Sequence, residues 1–295
     1  MVRWFAALTL LNRHERIVLG RQVWNMDETA IKARDIIQHA RETIIGGKGL
    51  RKTEVVVPDI SSAAAGCTAA LTILAFGDTA PPFLVFDGGN DGHAVVRVAP
   101  SDGYQAFSIP LSSRLQDRAI FVRRTPAGFD KTIFDLFAAH FSSFAMKFIP
   151  NESKVLATDG AKVQNFPTGL TRLLAARVHV IVEPSKLSHL LQALDSPSAF
   201  GRFQPGLRGC EMVRSHSCVQ EKRPFSVLDL VDCVALAANA AFTRDALVSA
   251  FKRVGMWSSD PNKVSVEELS KGADAPAADV NLATLTRILL PIVRK

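Results

Sequence analysis

The stretch VLATDGAKVQNFPTGLTRLLAARVHVIVEPSKLSHLLQALD, residues 155–195, decides the fold class. Its apolar run Val155 to Thr158 predicts a buried strand, and a helix is expected over 167–176. A second strand is predicted over Val178 to Val182, followed by a helix over 188–200. A strand, a helix and a strand in this order indicate two parallel strands joined by a crossover helix. The sequence therefore predicts an α/β protein with a sheet that is at least partly parallel.

The residues before this stretch predict further strands and two long helices. Apolar side chains at helical spacing predict an amphipathic packing helix over 3–20. A second helix is expected to run to about Phe148 with Asp130 as its N-cap, and its apolar stripe is assigned to the core. That stripe consists of Ile133, Phe137, Phe141, Phe144 and Phe148. Strands are predicted over Val23 to Met26, Glu54 to Val57, Cys67 to Phe76, Phe83 to Phe86, near Ala94 to Val98, and over Ala119 to Val122.

The C-terminal part of the chain predicts helices separated by a polar segment. Residues Phe225 to Val254 are expected to be helical, with Leu228, Val231, Ala235 and Leu236 on one face. Residues 258–280 are rich in Ala, Ser and Asp, which is typical of a linker. A short helix is predicted near 280–293.

The composition is that of a globular protein with a basic surplus. Hydrophobic residues make up 47% of the 295 residues and charged residues 21%, which argues against wholesale disorder. Lys and Arg number 35 against 28 Asp and Glu, a net charge of +7 that favours a polyanionic partner. No apolar run reaches the roughly 18 residues of a membrane span, so no membrane association is expected.

The four cysteines predict free thiols in a reducing compartment, because they show no CxxC spacing. Cys210, His216 and Cys218 lie close together in the sequence, and a zinc site there is conceivable. Their spacing does not correspond to a standard zinc motif, and chance proximity is the favoured interpretation.

Three aspartates, each inside a short motif, are the candidate functional residues. Asp27 lies in VWNMDET, Asp159 in VLATDG and Asp195 in SHLLQALD. The first two follow apolar runs that predict strands, whereas the third lies in a predicted helix. Carboxylates at the ends of core strands are well placed to hold divalent metal ions. Taken singly, each acid is better explained as part of a turn or a helix start, so the hypothesis depends on all three.

Several motifs around these aspartates resemble those of a known family. They are NMDET at 25–29, TILAFG at 72–77 followed by Pro81 and Pro82, TDG at 158–160, and EPSKLSHLLQALD at 183–195. Together they resemble the DDE-superfamily endonuclease domain, and most closely the pogo/Tigger branch of the mariner-like transposases. Ala127-Gly128-Phe129 resembles the family's Ser-Gly-Trp segment, and AFKRVGMW at 250–257 resembles its closing segment. The resemblance covers roughly residues 3–262.

The resemblance implies an RNase H-like mixed sheet flanked by helices, with a helical C-terminal extension. It divides the chain into an N-terminal packing helix over 1–22, a catalytic domain of the DDE/DDD type over 23–210, and the extension over 211–295. The catalytic domain is expected to carry an irregular insertion near 87–117. The extension is expected to include the polar linker 258–280.

The resemblance also implies a metal-dependent phosphodiester chemistry. Asp27, Asp159 and Asp195 are expected to be catalytic and to hold two Mg²⁺ (or Mn²⁺) ions, about 3.5–4 Å apart in such sites. Glu28 is expected to lie beside the metal site without coordinating, or to be an acid at a helix N-terminus. His189 is expected to contact the metal site or the DNA backbone, although a buried structural histidine fits equally well.

The partners and the activity follow from the same resemblance. DNA is the expected partner, with a homodimer on DNA, nuclear residence and no small-molecule substrate. The sequence departs from the family in lacking a His shortly after Asp159, and in having Ala193 for Pro and Phe129 for Trp. Only 26 residues precede Asp27, so the family's helix-turn-helix region is expected to be missing.

These features leave three hypotheses open. The first is a DNA endonuclease and strand-transfer domain. The second is a catalytically inactive, transposon-derived protein that only binds nucleic acid, and the third is a decayed element with neither role.

Overall fold

The computed structural model describes residues 2–31, 66–86, 94–97, 120–123, 129–159, 166–184 and 187–257. Within these ranges the chain forms one mixed sheet of eight strands with helices on both faces. The strands are β1 Val23–Ile31, β2 Cys67–Leu74, β3 Asp78–Thr79, β4 Phe83–Phe86, β5 Ala94–Arg97, β6 Ile120–Arg123, β7 Lys154–Asp159 and β8 Val178–Glu183. The helices are α1 Val2–His14, α2 Lys131–Phe148, α3 Pro167–Ala175, α4 Ser188–Leu191, α5 Phe200–Gln220, α6 Val227–Ala241 and α7 Arg244–Arg253.

The strand order identifies the fold. In the described residues the sheet runs β5-β6-β4-β2-β1-β7-β8, with β3 paired to β2. Strands β1, β2 and β4 are antiparallel neighbours, whereas β7 lies parallel to β1 and β8 parallel to β7. The series β4-β2-β1-β7-β8, with three antiparallel strands followed by two that are parallel to β1, is the RNase H-like arrangement. The predicted fold class is therefore confirmed, including the crossover helix between β7 and β8.

The two faces of β1 pack on different helices because successive side chains of a strand point to opposite sides. Trp24 and Met26 belong to the core beneath α2, where the Trp24 ring lies 4.8 Å from that of Phe141, centroid to centroid. Val23 and Ile31 belong to the second core, which α1 and the helices α5 to α7 cover. The odd-numbered positions of β1 therefore face the C-terminal helices.

The helix α2 agrees closely with its prediction. Asp130 is its N-cap, and the Asp130 Oδ1 atom accepts a hydrogen bond of 3.1 Å from the Ile133 backbone N–H. Ile133, Phe137, Phe141 and Phe144 of the predicted stripe are buried, and the fifth member of that stripe packs against them. The N-terminal helix is also confirmed, with a buried stripe that consists of Trp4, Phe5, Leu8 and Leu11, but it ends at His14 rather than near residue 20.

Two predictions about the aspartate motifs are wrong. Strand β1 does not end at Asp27 but continues to Ile31, because it pairs with β2 over its whole length. Glu28 is consequently a strand residue and not an acid at a helix N-terminus. Asp195 does not lie in a helix, since α4 ends at Leu191 and a series of turns follows. Tertiary contacts take the place of helical bonds here, because the Leu194 backbone N–H donates to the Asn25 side chain on β1.

The largest missed element is the 21-residue helix α5. Its sequence contains Pro205 and three glycines, which are signals for a break. The helix nevertheless buries Phe203, Leu207, Glu211 and Cys218, whose separations of four, four and seven residues follow the helical period. It runs across residue 210, the predicted end of the catalytic domain, and the division into domains stays a prediction.

The C-terminal tail is helical as predicted, in the form of the two helices α6 and α7, and Thr243 caps the second. It departs from its prediction in one respect. Leu236 is 41% exposed, so it does not share the buried face of Val231 and Ala235.

The strand predicted near Ala94 is confirmed as β5. Several other predictions concern segments outside the described residues. The predicted strand 54–57, the linker 258–280, the helix near 280–293 and most of the insertion 87–117 lie outside the described residues. Among the described helices, none has both the length and the apolarity that crossing a membrane requires.

Candidate metal-binding site

Three acidic side chains lie on one face of three neighbouring strands. Asp159 on β7 is the direct partner of Glu183 on β8, and Asp27 follows the pair of Met26 with Thr158 by one residue. Asp159 lies two positions after Ala157 and Glu183 two positions after Ile181, and both of these apolar residues belong to the core under the C-terminal helices. Asp27 is likewise an odd-numbered residue of β1. Because side chains alternate along a strand, all three acids point to the face that α5 to α7 cover.

A network of buried amide groups attaches the turn that carries Asp195 to this edge of the sheet. The Asn25 Oδ1 atom accepts a hydrogen bond of 2.9 Å from the Leu194 backbone N–H. The same amide donates through Nδ2 to the Ala157 carbonyl at 3.2 Å and to Glu183 Oε1 at 3.3 Å. Asn25 has no exposed surface, so these bonds are shielded from water. One side chain thereby connects β1, β7, β8 and the turn after α4.

Gln192 provides a second attachment between this turn and β1. Its Nε2 atom donates to the Met26 carbonyl over 3.5 Å, and its side chain also hydrogen-bonds to Asp27. The Asp27 Oδ1 atom further accepts a 2.7 Å bond from the Glu28 backbone N–H. These contacts determine which way the Asp27 carboxylate points.

The Asp27 carboxylate is influenced by the charges of both other predicted aspartates. Burial is the largest cause that raises the pKa of Asp27, and the negative charges of Asp195 and then Asp159 add to it. The hydrogen bonds from Glu28 and Gln192 oppose the rise, and the resulting pKa is about 7. Without a cation nearby, Asp27 is therefore partly protonated at neutral pH.

Glu183 is an acid at this edge that was not among the predicted site residues, although it begins the motif EPSKLSHLLQALD. It is 3% exposed, and burial raises its pKa well above the ordinary value, with further contributions from Asp27, Asp159 and Asp195. Its Oε1 atom is bonded to Asn25, whereas its Oε2 atom is buried and has no hydrogen-bond partner. A glutamate at the end of an apolar strand, matching Asp159 at the end of the previous one, was the available signal.

Glu28 and His189, which are expected to lie near the site, remain untested in that role. Glu28 is an exposed residue of β1, where its side chain alternates with that of Asp27 and its backbone contacts the Asp27 carboxylate. Its expected place beside the site stays a prediction. The side chain of His189 lies outside the described residues, so its expected role also stays a prediction.

The donor set is made of oxygen atoms, which suits hard cations such as Mg²⁺ and Mn²⁺. In the part of the chain that is described, no three His, Cys, Asp or Glu side chains form a group that could hold a metal ion as they stand. Carboxylates repel one another without a counter-ion, and a cation would offset that repulsion. The orphan Oε2 atom of Glu183 is the feature that fits a cation best.

Comparison with known proteins yields likenesses among solved structures only. No protein-family model matches the sequence, and no curated protein does. The catalytic domain of Mos1 mariner transposase aligns at 10% identity over 92% of each chain, with a TM-score of 0.44. The same domain with raltegravir and Mg aligns at 9% identity over 89% of this chain and 94% of that one, with a TM-score of 0.41.

A pre-cleavage Mos1 transpososome aligns at 9% identity over 89% of this chain and 62% of that one, with a TM-score of 0.44. The fold of the present chain rests on its own strand order and strand directions. None of these structures bears on the pogo/Tigger branch.

Proposed function

We propose that this chain is a transposase-type DNA endonuclease and strand-transfer domain of the DDE superfamily. Asp27, Asp159 and Asp195 are its metal-binding and catalytic acids. The observation that carries the proposal is the attachment of the Asp195 turn to β1 through Asn25 and Gln192. These bonds attach the turn that carries Asp195 to the strand that carries Asp27, although the two aspartates are 168 positions apart in the sequence.

The chemistry follows from the charges of the site. A DNA phosphate is repelled by carboxylates, so it approaches this edge only when cations lie between them. Two Mg²⁺ or Mn²⁺ ions would supply activation of a water or a 3′-hydroxyl and stabilisation of the leaving oxygen. The three aspartates would hold these ions, while Gln192 and the Glu28 backbone N–H keep the Asp27 carboxylate oriented.

DNA as the partner is supported by the motifs and by the net charge of +7. Membership of the pogo/Tigger branch, a homodimer on DNA and nuclear residence are proposed on the motif resemblance alone.

The second candidate function is a transposon-derived protein that binds nucleic acid without cutting it. It is favoured by the sequence GAKVQN at 160–165, which supplies no His after Asp159 where the family usually has one. Such a protein would retain the fold and the basic surplus while losing the chemistry.

A plasmid-nicking assay with Mg²⁺ or Mn²⁺ tests the first function. Wild-type protein should nick supercoiled DNA, and Asp27→Asn, Asp159→Asn and Asp195→Asn should each abolish nicking. Asp245→Asn is the matched control, because this aspartate is exposed in the first turn of α7. Nicking that survives in any of the three variants, or that persists in a chelator, would remove the corresponding acid or the metal from the proposal.

Binding measurements separate the two functions. A protein that only binds should show no nicking, an affinity that falls steeply with salt, and little change or an improvement in the three variants. An affinity for DNA that does not respond to salt would count against a basic phosphate-contacting surface.

A further inference from the structure

Glu183 is a buried acid whose second carboxylate oxygen has no partner within the protein. Leaving a buried oxygen without a hydrogen bond costs roughly 1–3 kcal/mol, and more when the group is charged. Asn25 satisfies only Oε1, at 3.3 Å, while Oε2 is enclosed and unpaired. The fold therefore tolerates an unfavourable group at this position.

The place of Glu183 in the sheet directs it to the candidate site. It is the last residue of β8 and the direct cross-strand partner of Asp159. It lies two residues after Ile181, which belongs to the core beneath the C-terminal helices, so its side chain extends to the same face. The charges of Asp27, Asp159 and Asp195 all act on it.

A second buried glutamate shows that an unpaired carboxylate alone does not indicate a site. Glu211 on α5 is 1% exposed, and both of its carboxylate oxygens lack a hydrogen-bond partner. The charge that acts on the Glu211 carboxylate is that of Arg208, which lowers its pKa, and none of the three aspartates contributes. Glu183 differs because it is the cross-strand partner of Asp159 and the charges of three further carboxylates act on it, a repulsion that a divalent cation would offset.

We propose that Glu183 is a fourth carboxylate ligand of the site, with Oε2 binding a divalent cation while Asn25 holds Oε1. This inference rests on the proposed function, since it adds a ligand to the same metal site. It makes Asn25 a positioning residue, because one amide orients Glu183 and anchors the Asp195 turn. The expected cations are Mg²⁺ and Mn²⁺, which prefer oxygen ligands.

Titration of the protein with Mn²⁺ in a calorimeter tests the proposal without DNA or turnover. Glu183→Gln keeps the size of the side chain and an oxygen for Asn25, but removes the charge at Oε2. We expect it to weaken Mn²⁺ binding about tenfold or more, which corresponds to about 1.4 kcal/mol. Glu211→Gln is the matched control and should bind Mn²⁺ within about twofold of wild type.

Thermal unfolding in a chelator separates a ligand from a structural residue. As a ligand, Glu183 is unfavourable without a cation, so Glu183→Gln and Glu183→Leu should melt at or above the wild-type temperature. Both variants should also lose most of the increase in melting temperature that Mn²⁺ produces in wild type. A lower melting temperature in both variants without metal would overturn the proposal in favour of a structural role.

Asp159→Asn distinguishes failure of this inference from failure of the proposed function. If Asp159→Asn loses Mn²⁺ while Glu183→Gln binds it normally, Glu183 is not a ligand and the proposed function stands. If wild type binds no Mn²⁺, or if neither variant changes the affinity, both proposals are overturned.

Discussion

Substituting Asp27 should make the metal-free protein more stable at alkaline pH. The pKa of Asp27 is raised from 3.8 to about 7, chiefly by burial and then by Asp195. A raised pKa means that the folded state binds the proton more tightly than the unfolded state does. Protonation therefore stabilises the fold below about pH 4, and this stabilisation is lost progressively as the pH rises to about 7.

The size of the effect follows from the shift. A difference of about three pKa units corresponds to roughly 4 kcal/mol at 1.36 kcal/mol per unit. Asp27 is half-buried, so solvent screening reduces the expected effect to about 1–3 kcal/mol. Asp27→Asn is neutral at every pH and should exceed wild type by this amount at about pH 8, with little difference at about pH 4.

Urea unfolding followed by circular dichroism, with a chelator present, measures this difference at the two pH values. Asp245→Asn is the control, because an exposed acid in the first turn of a helix is favourable and its loss should cost about 0.3–1 kcal/mol. With Mg²⁺ present, wild type should gain stability and Asp27→Asn should not. The reasoning is refuted if Asp27→Asn is less stable than wild type at about pH 8, or if the difference is the same at both pH values.

Three other substitutions test the fold and the attachment of the site. Asp130→Ala removes the N-cap bond of α2 and should cost about 1 kcal/mol in urea unfolding, whereas Asp130→Asn should cost less; equal losses would contradict the capping role. Phe141→Ala removes the ring against Trp24 and should cost about 3–5 kcal/mol, with a weaker near-ultraviolet signal from that indole; an unchanged signal would contradict the packing. Asn25→Leu leaves the Leu194 N–H unpaired, so it should cost about 1–3 kcal/mol and weaken Mn²⁺ binding although every acid is retained; unchanged Mn²⁺ affinity would contradict its positioning role.

Elements with a strong local pattern could be predicted from the sequence. Helix α2 combines a capping aspartate with an apolar stripe at helical spacing, and both signals lie within a few residues of each other. The segment from β7 to β8 carries two continuous apolar runs around a helix, which is typical of buried parallel strands. In these regions the tertiary structure and the local preference agree.

Elements that depend on distant partners were predicted incorrectly or missed. The end of β1 is determined by its pairing with β2, since Ile31 lies opposite Cys67. The residues around Asp27 do not identify β2 as the pairing strand. Helix α5 forms although Pro205 signals a break, because its buried residues belong to the core that it shares with α6. Its sparse apolar pattern was too weak to outweigh the proline.

The sequence by itself determined the order of the strands along the chain, the α/β class and the three aspartate motifs, because these depend on local periodicity and residue type. Only the tertiary structure decided that Asp27, Asp159 and Glu183 share one face of the sheet, and that the Asp195 turn is attached to β1. The bond between Asn25 and Leu194 joins residues 169 positions apart. Contacts of that kind arise from strand pairing and burial of the whole sheet, which no local pattern encodes.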